Sequence, residues 1–73
     1  MSAKEMFEKL RYEYIQSRDK TLLKYERNGM KKIWFDLESK DILLVDVCHF
    51  TLKELQAINK QIEELGWNKW YVV

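Results

Sequence analysis

Proline is absent from this 73-residue chain, glycine occurs twice, and cysteine and histidine occur once each. Each shortage excludes something. With no Pro and so little Gly, long irregular loops are poorly supplied, so regular elements joined by tight turns are expected. A lone Cys48 has no partner for an internal disulfide. A lone His49 makes no metal site without carboxylate help. Two glycines cannot furnish a Gly-rich phosphate loop. The net charge of +1 argues against a strongly basic nucleic-acid binder and against an acidic mimic of DNA. No apolar run is long enough to span a bilayer and no leader-like segment is seen, so a reducing cytoplasm and no membrane are expected.

What is present is apolar and aromatic. Hydrophobic residues make up 47% of the chain and aromatic rings 14%, enough for one small core built largely from rings. The whole of 1–73 reads as a single domain near the lower size limit for independent folding. Its first element is a helix over about 2–11. Ser2 and Glu5 form a capping box, and Ala3, Met6, Phe7 and Leu10 recur at helical spacing. Alternating, β-rich runs then predict strands over about 12–17, 20–27, 30–37 and 41–48. Between the second and third, Asn28-Gly29 is the strongest short hairpin signal.

The loop length at Asn28-Gly29 stays open on sequence alone. A two-residue loop pairs Leu23 with Trp34. A three-residue loop, Arg27-Asn28-Gly29 with Gly29 left-handed, pairs Leu23 with Ile33 and gathers Leu23, Tyr25, Ile33, Phe35 and Leu37 on one face. The second is preferred, because a sheet under helices needs one cleanly apolar face. In the fourth strand Leu43, Val45 and Val47 point one way, and Ile42, Leu44, Asp46 and Cys48 the other.

"FTLKELQAINKQIEELGW" specifies a second helix over about 51–65. Thr51 and Glu54 form a capping box, Phe50 is placed to staple onto Leu55, and Gly66 ends the helix with Trp67 folding back on Ile62. Its expected apolar side is Leu52, Leu55, Ile58, Ile62 and Leu65. Residues 68–73 read as a tail or a short edge strand. The fold class is thus α+β, ordered α-β-β-β-β-α: a four-stranded antiparallel meander with both helices packed on one face.

The segments "SAKEMFEKLRYEY" and "FTLKELQAINKQIEELGW" resemble a family of small prophage-type proteins of low-GC Gram-positive bacteria, across nearly half the chain. Arg11 stands where that family usually has Gly, which implies a first helix running slightly longer. The resemblance implies a small cytoplasmic, phage-derived protein and brings no catalytic residues with it.

No constellation suggests catalysis, a cofactor or a metal. Cys48 and His49 lack the base and the electropositive setting of a catalytic thiol. Glu63 and Glu64 point about 100° apart on a helix, and Asp36, Asp41 and Asp46 are dispersed over turns and strands. Two binding surfaces remain. The sheet face away from the helices is expected to carry Ile15, Leu22, Trp34, Leu44 and Cys48, with no third helix to cover it. Ile15, Leu22, Trp34 and Leu44 are the candidate protein-contact residues, for an unidentified protein partner, in a chain expected to be a monomer or a weak homodimer. Residues 18–32 hold six basic side chains against two acidic ones. Lys24, Arg27, Lys31 and Lys32 around the hairpin, with Tyr25 and Trp34 among them, are the alternative, a nucleic-acid contact. The leading expectation is a small non-catalytic interaction protein, an inhibitor or adaptor of a host protein.

Overall fold

The computed structural model describes residues 1–16, 18, 20–28 and 30–67. It contains helix α1 (Ala3–Lys9), strands β1 (Glu13–Ile15), β2 (Leu22–Arg27), β3 (Lys31–Asp36) and β4 (Asp41–Val45), and helix α2 (Leu52–Glu64). The strands form one antiparallel sheet in chain order, β1-β2-β3-β4. Both helices lie on one face of it. They run antiparallel to each other, with the Ala3 amide donating to the Glu64 Oε2 at one end. The tail at 68–73 and the conformation expected of Gly29 lie outside the described residues.

Both capping boxes form: Ser2 with Glu5, and Thr51 with Glu54. α1 stops at Lys9, earlier than the resemblance implied. Arg11 adopts the left-handed conformation itself, at φ 69°. Its N–H donates to the Glu8 carbonyl and the Tyr12 N–H to the Phe7 carbonyl. Those two bonds close the helix as a glycine would, with a Cβ in a region that costs an L-residue about 1–2 kcal/mol. Tyr12 then packs edge-on against Phe7. At the end of α2, Gly66 takes φ 75° and Trp67 is buried beside Phe35.

The β2–β3 hairpin has a three-residue loop, but it is Asn28–Met30, closed by Arg27 opposite Lys31. Leu23 therefore pairs with Phe35, not Ile33. Asn28 supplies a left-handed residue at φ 53°, and Met30 N–H donates to the Arg27 carbonyl. The register moves by two residues, and a shift of two preserves the faces. Leu23, Tyr25, Ile33 and Phe35 do share the helix-covered side. In the β3–β4 turn, Asp36 Oδ1 accepts the amides of Glu38 and Ser39, and Lys40 is left-handed at φ 61°. Strands β1 and β4 are both shorter than the sequence suggested.

Rings make the core. Phe7 stacks on Tyr25 with centroids 4.0 Å apart and meets Phe35 edge-on. Ile33, Phe35, Ala57, Ile58 and Trp67 complete it. Full burial of a side chain the size of Ile33 or Phe35 contributes about 1.5–3 kcal/mol.

The orientation of α2 departs from its apolar stripe. Its buried residues are Glu54, Ala57, Ile58 and Gln61, whereas Leu52 is 70% and Leu55 46% exposed. The reason is two phenols on the sheet side. Tyr12 Oη donates to the Glu54 carboxylate, and Tyr25 Oη donates to Gln61 Oε1 at 2.7 Å. With partners in place, burying the two polar side chains carries no unpaired-group penalty. The small Ala57 also lets the helix approach closely.

Candidate functional site

The uncovered sheet face is built by strand parity. Residues opposite one another across antiparallel strands share a face, and the pairing sets one row as Ile15, Lys24, Trp34 and Leu43. The row beside it is Glu13, Glu26, Lys32 and Val45, and the row on the other side holds Leu22, Asp36 and Asp41. Three of the expected contact residues, Ile15, Leu22 and Trp34, therefore lie together here. Leu44 does not. It sits opposite Ile33, on the helix side of β4. Leu43 and Val45 take its place on the open face. The run Ile42–Val45 has no polar alternation to reveal its facing, and the turn Leu37–Lys40 decides it. Cys48 lies past the end of β4, exposed and outside the sheet.

Trp34 is the centre of this surface. The Lys24 Nζ stands 4.5 Å above its ring centroid, a cation–π contact. Its indole Nε1 is buried and makes no hydrogen bond. A buried donor without an acceptor costs about 1–3 kcal/mol. At the sheet edge, β4 is apolar and open on both sides: Leu43 and Val45 outward, Leu44 inward, with exposures of 42, 36 and 46%. Its outer edge has no neighbouring strand among the described residues.

The four basic residues of the alternative reading are not brought together. Lys24 and Lys32 fall on the open face, Arg27 and Lys31 on the helix side. Lys24 is engaged with Trp34. Lys31 Nζ lies 3.7 Å from the Glu54 carboxylate. The hairpin is thus a divided charge pattern. A groove of about 760 Å³ does open at its end, lined by Arg27, Asn28, Met30, Lys31, Asp46 and Cys48.

A second basic cluster was not visible in the sequence. Lys9, Arg11, Arg27 and Lys53 line a groove of about 270 Å³ that also touches Thr51 and Glu54. These residues are dispersed along the chain, and only the antiparallel docking of α1 on α2 collects them. A lysine late in α1 and another early in α2 was the available signal.

Beneath the helices, Glu54 is 1% exposed and accepts from Tyr12 Oη and the Thr51 amide, with Lys31 beside it. Burial pushes its carboxyl up, but the bonds from Tyr12 and Thr51 and the Lys31 charge outweigh that and hold it below the usual range. Burial, then the Glu54 bond and charge, drives the Tyr12 phenol well above its ordinary value. Burial likewise pushes Tyr25 up to about 12. These shifts favour the ionised acid and the neutral phenols that make the bonds, so the network is a fastening between helix and sheet. Among the described residues no three His, Cys, Asp or Glu side chains gather as metal ligands, and no helix is long and apolar enough to cross a membrane.

No protein-family model matches the chain, and no curated protein or solved structure is measurably similar to it.

Proposed function

We propose that this chain is a non-catalytic protein-interaction module whose contact surface is the uncovered sheet face, centred on Trp34 and continuing over the β4 edge. One observation carries the reading: both helices are committed to the opposite face, while the helix-free face holds Ile15, Leu22 and Trp34 half-buried and Leu43 and Val45 exposed. Leu52 and Leu55 are also exposed, but they lie on α2 with Lys53 and Gln56 beside them and offer no strand edge.

The chemistry of the surface describes its partner. An edge strand pairs best with an extended backbone. Trp34 and Leu43 suit apolar side chains. Asp41 and Asp46 at the two ends of β4 suit a partner segment with basic flanks. An extended apolar segment of another protein, basic at its ends, meets all of these. The resemblance to small prophage-type proteins supports an inhibitor or adaptor that occupies such a segment on a host protein.

The test is selection from a random peptide library on the immobilised full chain. Extended apolar peptides with Lys or Arg at an end are expected, and Trp34→Glu should abolish their binding while its circular dichroism stays native. No enrichment, or peptides indifferent to Trp34→Glu, overturns the reading. Unfolding of that variant places Trp34 in the core and overturns it too. Light scattering on the same samples separates a foreign partner from a second copy of the chain.

A further inference from the structure

We infer that the groove between the end of α1, the start of α2 and the end of β2 is a binding site for phosphate groups. Four cations line it: Lys9 from α1, Arg11 from the turn after it, Arg27 from β2 and Lys53 from α2. Four other lysines have occupations. Lys4 lies over Tyr14, Lys24 over Trp34, Lys31 beside Glu54 and Lys60 beside Glu63. Among the described residues, no ion pair, side-chain hydrogen bond or ring contact engages Lys9, Arg11, Arg27 or Lys53.

The one acid lining the groove is Glu54, and its carboxylate is already held by Tyr12, Thr51 and Lys31. In a chain of net charge +1, four unpaired cations have thus been drawn to one place. Like charges gathered this way repel one another unless an anion enters. The positive end of the α2 dipole adds to the same field.

Two of the four are arginines, whose planar forks match a tetrahedral oxyanion in two-point contacts. The charge exceeds what one carboxylate would neutralise, which favours phosphate. Arg27 also lines the larger groove at the hairpin end, so the two grooves form one track through that side chain. A track suits successive phosphates of a single-stranded polynucleotide, and the first groove alone suits a free phosphate or pyrophosphate. Arg11 holds its place against backbone strain where glycine would end the helix more easily.

Fluorescence anisotropy with a labelled single-stranded oligonucleotide tests this on the full chain, beside calorimetry with inorganic pyrophosphate. Four phosphate contacts predict affinity about 50-fold weaker at 200 mM than at 50 mM salt. Lys53→Glu should abolish binding. Lys32→Glu, an equal charge change on the other face, should leave it nearly intact. Arg11→Gly should weaken binding about tenfold, in line with a lost charge-assisted contact, while raising the melting temperature, so loss of binding is not loss of fold. Oligonucleotide binding with this pattern establishes a polynucleotide track; pyrophosphate binding without it establishes a free-phosphate site. Tighter binding of an acidic peptide than of either overturns the phosphate assignment. So does no binding, or equal loss in Lys32→Glu and Lys53→Glu.

Discussion

Neighbouring residues on β3 live in opposite worlds. Ile33 and Phe35 are fully buried under the helices, while Trp34 between them is half-buried on the other face with Lys24 above its ring. The covered side has matched its polar groups: Tyr12 with Glu54, Tyr25 with Gln61, Lys31 with Glu54. Among the described residues, the other side leaves the Trp34 indole N–H unmatched and the β4 edge unpaired. The same strand chemistry produces both, since alternate side chains leave a strand on opposite sides. A closed account of polar groups marks the face that folding has finished.

The sharpest way to break that contrast is to truncate the adjacent rings. Phe35→Ala should destabilise by about 3–5 kcal/mol, as large-to-small core changes do, and Trp34→Ala by far less. Urea titration of the two variants reads the difference. Equal losses would mean that both faces are core.

Next in size is the fastening itself. Glu54→Ala strands the Tyr12 hydroxyl and Lys31 and should cost about 3 kcal/mol, within the range for breaking a buried pair. Adding Tyr12→Phe should recover part of that loss, and thermal melts of the single and double variants would show it. The same network predicts a stability plateau in pH. Glu54 has a folded pKa below its free value of 4.5, so its contribution is complete above that value and is lost as pH falls through the depressed one. Tyr12 and Tyr25 have folded values above their free 10.0, so their contribution is complete below pH 10.0 and is lost as pH rises through the raised ones. Melting temperatures across this span should be flat in the middle and fall at both ends. Tyr12→Phe should soften the alkaline fall.

The smallest expected effect is on α2. Leu55→Gln should change stability by no more than about 0.5 kcal/mol, whereas Ile58→Ala should cost about 2–5 kcal/mol. Denaturant midpoints decide between them, and the reverse ranking would restore the apolar stripe as the buried side.

That reversal shows where reading the chain worked and where it failed. Local chemistry was legible. The capping residues Ser2 and Thr51, the hairpin at Asn28 and the shared face of Tyr25, Ile33 and Phe35 all follow from short-range patterns. The facing of Leu44 was not legible, because a continuous apolar run carries no alternation and a turn elsewhere sets it. The two-residue register shift depended on where Asn28 takes its left-handed conformation. The rotation of α2 escaped because Glu54 and Gln61 look like solvent residues until two distant tyrosines supply their partners. The groove at Lys9, Arg11, Arg27 and Lys53 escaped for a related reason, since only helix docking makes those residues neighbours.

Glu54 and Gln61 stand seven residues apart, about 10.5 Å along the helix axis. Each meets a phenol from a different part of the sheet side, so the pair works as two teeth of a key. Sliding α2 by one turn, or rolling it to bring Leu52 and Leu55 inward, would free both teeth at once and strand two hydroxyls. Apolar packing tolerates many rotations of a helix at similar energy, but two spaced teeth fit one lock. The helix therefore gives up the burial of two leucines and gains a single seating.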